Sequence, residues 1–141
     1  MNKIISLIFV ILFVSACSKE EIKLELFNPE AFAYDLGNSW EVNAIVNLKG
    51  FVQKENDTEN KFEASVSLSA NLETPDGEIF EEIYSDNINY SLDEEIIDIP
   101  LEVQFELDST FVLGLYQINL IIEDNMSGGK ISGVIDFELS D

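Results

Sequence analysis

The chain has 141 residues, the length of one ordinary domain, with 7 Lys, no Arg and no His against 28 Asp and Glu, a net charge of −21. Without His there is no imidazole base, no Ser-His-Asp triad and almost no route to a catalytic zinc site, and without Arg there is no bidentate fork for phosphate or guanine. The single cysteine, Cys17, can close no intrachain disulfide, and the acidic excess repels nucleic acid and anionic headgroups.

Met1-Asn2-Lys3 forms a short positive start, and Ile4 to Val14 is an apolar run interrupted only by Ser6. A helix of that length rises about 16 Å, roughly half of a bilayer core, so the run has the proportions of a secretory signal rather than of a spanning helix. Val14, Ser15 and Ala16 then place an aliphatic and two small residues directly before Cys17. This resembles the lipobox of bacterial lipoproteins. The resemblance implies that residues 1–16 are cleaved, that the Cys17 thiol is alkylated by a diacylglyceryl group, and that the new amine is acylated. Two or three acyl chains, each contributing about 0.8 kcal/mol per buried methylene, make such an anchor stable. Ser18, Lys19, Glu20 and Glu21 follow as a tether over 17–21. A small or polar residue and then acids after the cysteine resembles the surface-export signal of Bacteroidota lipoproteins, and a plain charged tether is the other reading. Outer-membrane attachment follows from the resemblance; cell surface and periplasmic face both stay open.

Cleavage removes one Lys and no acid, leaving six Lys against 28 acids, a net of −22. High charge at low hydropathy can mean disorder, but the periodicity argues for a folded chain. Strands are predicted at Ile22–Phe27, Trp40–Gln53, Lys61–Glu73, Glu78–Tyr84, Leu101–Leu107, Leu115–Glu123 and Lys130–Leu139. The clearest is Lys61–Glu73, where Phe62, Ala64, Val66, Leu68, Ala70 and Leu72 alternate with polar residues. Asn87–Ile99 is ambiguous, with a short edge strand suggested near Ile88–Leu92. Thr74-Pro75-Asp76-Gly77 reads as a tight hairpin, with Pro presetting φ and Gly supplying φ > 0. The polar stretch 55–60 and the segment Asp124–Gly129 read as further connections. No segment holds a helical period.

Seven strands over residues 22–141 predict an all-β, two-sheet antiparallel sandwich. Gly114-Leu115-Tyr116, opening an alternating strand, resembles the sixth strand of an immunoglobulin or fibronectin type III domain. The resemblance implies that Tyr116 is a tyrosine corner. The missing disulfide favours the fibronectin-like pattern, with Trp40 as core filler in its place.

The acids offer little chemistry by spacing. A glycosidase needs two carboxyl groups about 5–10 Å apart beside a sugar cleft. Glu63, Glu102, Glu106, Glu123 and Glu138 fall on outward strand positions instead, so the chain reads as non-enzymatic, with a small carboxylate hydrolase as the remote alternative. Calcium is the one cofactor considered, with candidate ligands at Asn56-Asp57, Asp86-Asn87, Asp93-Glu94-Glu95 with Asp98, and Asp124-Asn125, none at EF-hand spacing. Phe51, Phe111 and Tyr90 are the candidate exposed aromatics for a glycan reader. Ile121 and Val134 fall on outward faces of the last two strands and mark that hairpin as a protein-docking face. Ile45, Phe51 and Leu115 are also out of phase with the core. Asp108-Ser109-Thr110 resembles a Bacteroidota O-glycosylation acceptor, with Ser109 as the modified residue. Together these features predict a lipid-anchored envelope protein acting as a binding or structural module. The alternatives are a periplasm-facing accessory subunit of an outer-membrane complex and a calcium-stabilised adhesion module. Its partners would be the membrane, through the anchor, and an envelope protein.

Overall fold

The computed structural model describes residues 23–141; the signal, lipobox, Cys17 and tether readings lie outside the described residues. Eight strands follow in chain order: β1 (Glu25–Asp35), β2 (Ser39–Lys49), β3 (Lys54–Asn56), β4 (Lys61–Glu73), β5 (Ile79–Leu92), β6 (Asp98–Asp108), β7 (Gly114–Asp124) and β8 (Lys130–Leu139). One antiparallel sheet has the order β1-β2-β6. In the other, β5 lies along one edge of β4, while β7 and the short β3 share the opposite edge and β8 pairs with β7. The strand after β4 therefore stays in the sheet of β4 rather than joining β1 and β2, as it would in a constant-type immunoglobulin domain. This is the expected immunoglobulin-like sandwich in its fibronectin type III-like form.

Alternation builds the core. Val42, Ala44, Val46 and Leu48 of β2 meet Ala64, Val66, Leu68, Ala70 and Leu72 of β4 across the sheet-to-sheet gap, and all are buried. Each large aliphatic among them contributes about 1.5–3 kcal/mol by leaving water. Ile118, Leu120 and Ile122 of β7 and Ile135, Phe137 and Leu139 of β8 complete the layer.

Several boundaries differ from the sequence reading, each for a local reason. The first strand begins at Glu25 and continues through Asn28-Pro29 to Asp35, because a bulge between Phe27 and Glu30, with Asn28 at φ 51°, absorbs the apparent breaker. Pro is tolerated there because β1 is an edge strand. The second strand ends at Lys49, not Gln53. Gly50 takes φ 81°, a left-handed conformation that breaks the alternation and turns Phe51 inward. A Cβ at Gly50 would stand 2.1 Å from the Lys23 carbonyl oxygen, so the chain entering β1 crosses this point at contact distance. Glu78–Tyr84 and the ambiguous stretch near Ile88–Leu92 form one long strand, β5, interrupted by a bulge opposite Asn71. Glu82 sits there at φ 53°, its N–H donating to Asn71 Oδ1 at 2.8 Å.

The Thr74–Gly77 hairpin forms as the residues predict. Gly77 N–H donates to the Thr74 carbonyl at 2.9 Å, Thr74 N–H donates to the Glu78 carbonyl at 2.9 Å, and Gly77 holds φ 87°. This is a three-residue loop whose glycine supplies the left-handed position.

Candidate functional site

The end of the sandwich near the β6–β7 connection is organised by Tyr116. Its side chain is 1% exposed, and its hydroxyl donates to the Val112 carbonyl at 2.6 Å. That is the tyrosine corner the sequence predicts. Burial raises the phenol pKa above its ordinary value. The ring stacks on Phe137 at 5.3 Å and begins a chain of contacts through Phe111 to Phe80 on one side and through Phe137 to Phe105 on the other. Trp40 is half-buried at the start of β2, opposite Leu107, and caps this end of the core instead of filling its centre. The position two residues after the corner tyrosine, where a second core cysteine would stand, belongs to Ile118, which is 0% exposed. A plain aliphatic replaces the disulfide, so the core-filler role assigned to Trp40 is corrected.

At the other end, the β7–β8 hairpin is fastened from inside. Asp124 is 1% exposed. Its Oδ2 accepts the Val52 N–H at 2.8 Å and the Ser127 hydroxyl at 2.8 Å, and its Oδ1 accepts the Met126 N–H at 2.9 Å. One carboxylate thus ties the β2–β3 connection to the hairpin turn, so this calcium candidate accepts two donors on Oδ2 and one on Oδ1 from the chain itself. The sequence carries no sign of this, because a hairpin Asp reads as a solvated turn residue.

Of the other calcium candidates, Asn56, Asp86, Asn87 and Asp93 are also engaged with the chain itself. Asn56 Oδ1 accepts the Thr58 N–H at 3.1 Å, and its amide nitrogen donates to Glu63 at 3.0 Å. Asp86 accepts the Asn87 N–H at 2.8 Å. Asp93 pairs with Lys61 at 2.8 Å, and the hydrogen bond from that ammonium holds its carboxyl below the usual range. Among the described residues no group of three acidic side chains is arranged to hold a metal ion.

Ile121 and Val134 are 44% and 54% exposed on the outer face of the β7–β8 pair. Register places Ile121 opposite Ser132 and Val134 opposite Asn119, so the two are diagonal neighbours on one face rather than a directly opposed pair. Leu115 joins them on that face, 57% exposed. Beside Ile121 a shallow depression of about 460 Å³ is lined by Ser67, Ser69, Ser85, Asn87, Glu82 and Glu123, giving an apolar spot edged by hydroxyl, amide and carboxylate groups. Ser67 donates to Asn87 at 2.6 Å across this rim. Ser109 is exposed in the turn after β6. Asp108 accepts the N–H of Thr110 at 2.9 Å and its hydroxyl as well, and these bonds lower the Asp108 pKa.

The aromatic expectations are reversed. Phe51 is 7% exposed, Phe111 packs between Phe80 and Tyr116, and Tyr90 is half-buried, its phenol pKa raised by that burial. Among the described residues the exposed aromatics are Phe32 and Tyr34 of β1, 52% and 54% exposed. They alternate with Ala31 and Ala33, a period of two that was legible in the sequence. The larger residues of such a pair are ordinarily assigned to the core, however, so the pattern by itself points the wrong face inward. Ile45 lies outward as predicted but is only partly exposed.

No protein-family model matches the chain, and no curated protein is significantly similar to it. Among solved structures it is similar to one described as the X-ray structure of Northeast Structural Genomics Consortium target SoR45, with a TM-score of 0.43 and 10% identity, covering 86% of this chain and 87% of that one.

Proposed function

We propose that the chain is a lipid-anchored, non-enzymatic binding module of the bacterial outer membrane, tethered through Cys17. The observation that carries the reading is the sole cysteine of the chain, standing directly after Val14-Ser15-Ala16 at the end of an eleven-residue apolar run. Acylation there anchors a domain whose charge keeps it soluble and clear of anionic headgroups. The exposed strip of Leu115, Ile121 and Val134 on a chain this acidic supports a docking role for the last hairpin, facing a protein partner in the envelope.

Metabolic labelling with an alkyne palmitate tests the anchor. The protein is expected to take up label and to partition with membranes, and C17A is expected to lose both. Equal labelling of C17A refutes the reading. Protease treatment of intact cells then assigns the face: cleavage places the domain on the surface, protection places it in the periplasm. For the docking face, Ile121→Lys with Val134→Lys is expected to abolish partner capture from solubilised membranes. Because both residues are exposed, the melting temperature should hold; undiminished capture refutes the assignment.

A further inference from the structure

The outer face of the β1-β2-β6 sheet carries exposed aromatics among carboxylates, in rows set by register. Across the three strands the rows read Glu25–Lys49–Asp98, Phe27–Asn47–Pro100, Glu30–Ile45–Glu102, Phe32–Asn43–Gln104 and Tyr34–Glu41–Glu106. The first two rows are complete in themselves. The Lys49 ammonium lies 5.3 Å from the centre of the Phe27 ring and 3.2 Å from Glu25, so one cation satisfies an aromatic face and a carboxylate together. The next three rows repeat the acceptors without the cation. Glu30, Glu41, Glu102 and Glu106 make no salt bridge among the described residues, and the cations of Lys61 and Lys130 are engaged elsewhere, with Asp93 and Glu123. Glu41 and Glu106 stand directly opposite each other, a like-charge pairing that strands ordinarily avoid. A depression of about 220 Å³ on this face is lined by Phe32, Asn43, Ile45, Glu102 and Gln104.

We propose that this face, distinct from the Ile121–Val134 surface, docks a cationic polypeptide segment, with Lys or Arg side chains over Phe32 and Tyr34. The aliphatic stem of such a side chain lies along Ile45, its head meets Glu102 and the Phe32 ring, and a second cation relieves the Glu41–Glu106 repulsion. A neutral glycan would stack on the same rings but has no use for four carboxylates without a cation, of which Glu41 alone accepts a side-chain bond, from the Asn43 amide at 2.8 Å. Charge complementarity therefore favours the basic segment. The inference does not depend on lipidation.

The test titrates the full-length protein in detergent with an alternating Lys-Ser decapeptide, whose cations share one side when extended, and in parallel with maltohexaose. Peptide binding that weakens with added salt is expected. Phe32→Ala with Tyr34→Ala should weaken it about tenfold at unchanged net charge. Glu102→Gln with Glu106→Gln should weaken it by a similar factor, whereas Glu81→Gln with Glu138→Gln, the same charge change on the opposite sheet, should stay within about twofold. All six residues are on exposed or outward positions, and melting curves verify that each variant is folded. The proposal is overturned by absence of peptide binding, by an unaffected Phe32/Tyr34 variant, by losses that follow net charge wherever it is removed, or by maltohexaose occupying this face.

Discussion

Asp124→Asn is the most discriminating single change to the framework. The substitution keeps shape and volume but replaces one carboxylate oxygen, either Oδ2 with its Val52 N–H and Ser127 hydroxyl donors or Oδ1 with its Met126 N–H donor, by an NH₂ group that only donates. The Ser127 hydroxyl is able to rotate, but in either amide orientation one fixed backbone N–H, that of Val52 or that of Met126, is left facing a donor. Hydrogen bonds to a charged acceptor contribute about 1.5–3 kcal/mol each, and the oxygen that remains keeps its own donor. The expected loss is therefore about 2–3 kcal/mol, a large share of the 5–15 kcal/mol typical of a whole domain. For a domain of this size that corresponds to a fall in Tm of roughly 10 °C. Asp124→Ala, which leaves three donors without an acceptor, should cost about 3–5 kcal/mol. Urea unfolding followed by Trp40 fluorescence, with and without calcium, measures both. The reasoning is refuted if Asp124→Asn costs less than about 0.5 kcal/mol, within the range of an ordinary surface change. It is refuted equally if calcium stabilises the parent protein and this variant abolishes the effect, since Asp124 would then be a ligand rather than an internal tie.

Three further outcomes are expected. Tyr116→Phe removes the bond to Val112 but keeps the stack on Phe137, and should cost about 1–1.5 kcal/mol by denaturant titration. Because burial raises the Tyr116 pKa, the folded state holds that proton more tightly. The associated stability is present below the unfolded phenol value near pH 10 and is lost as pH rises through the folded value, so Tyr116→Phe should flatten the alkaline limb of a stability profile, leaving a remnant from Tyr84 and Tyr90. Gly50→Ala places a methyl group on the Lys23 carbonyl at a left-handed backbone position and should cost upwards of about 2 kcal/mol, read as a Tm fall that Gly128→Ala, which meets nothing within 4 Å, does not match. Mass spectrometry of protein from the native host should show a glycan adduct that Ser109→Ala removes; an unmodified peptide over 108–110 refutes the acceptor assignment.

What was legible in the sequence is local. The pleat forces side chains to alternate, so β4 and β8 appear with their bounds intact and β6 and β7 to within a few residues. The turn at Thr74–Gly77 and the tyrosine corner were legible for the same reason, since each is closed by residues four or fewer apart. The exposure of Ile121 and Val134 also followed from phase alone.

Which face of a strand turns inward is a different matter, because it depends on the partner strand. Ala31 and Ala33 point to the core because they pair with Ala44 and Val42, which are buried, and this leaves Phe32 and Tyr34 in solvent. Phe51 turned inward once Gly50 broke the alternation. Asp124 became internal by accepting the Val52 N–H, 72 positions away in sequence. The two halves of β5 joined because β4 supplied one continuous edge to both, with the bulge at Glu82 taking up the extra length. Alternation is a property of the backbone and belongs to the sequence. The direction of each face, and the rows of rings and carboxylates across β1, β2 and β6, come from register between distant strands, which only the folded chain decides.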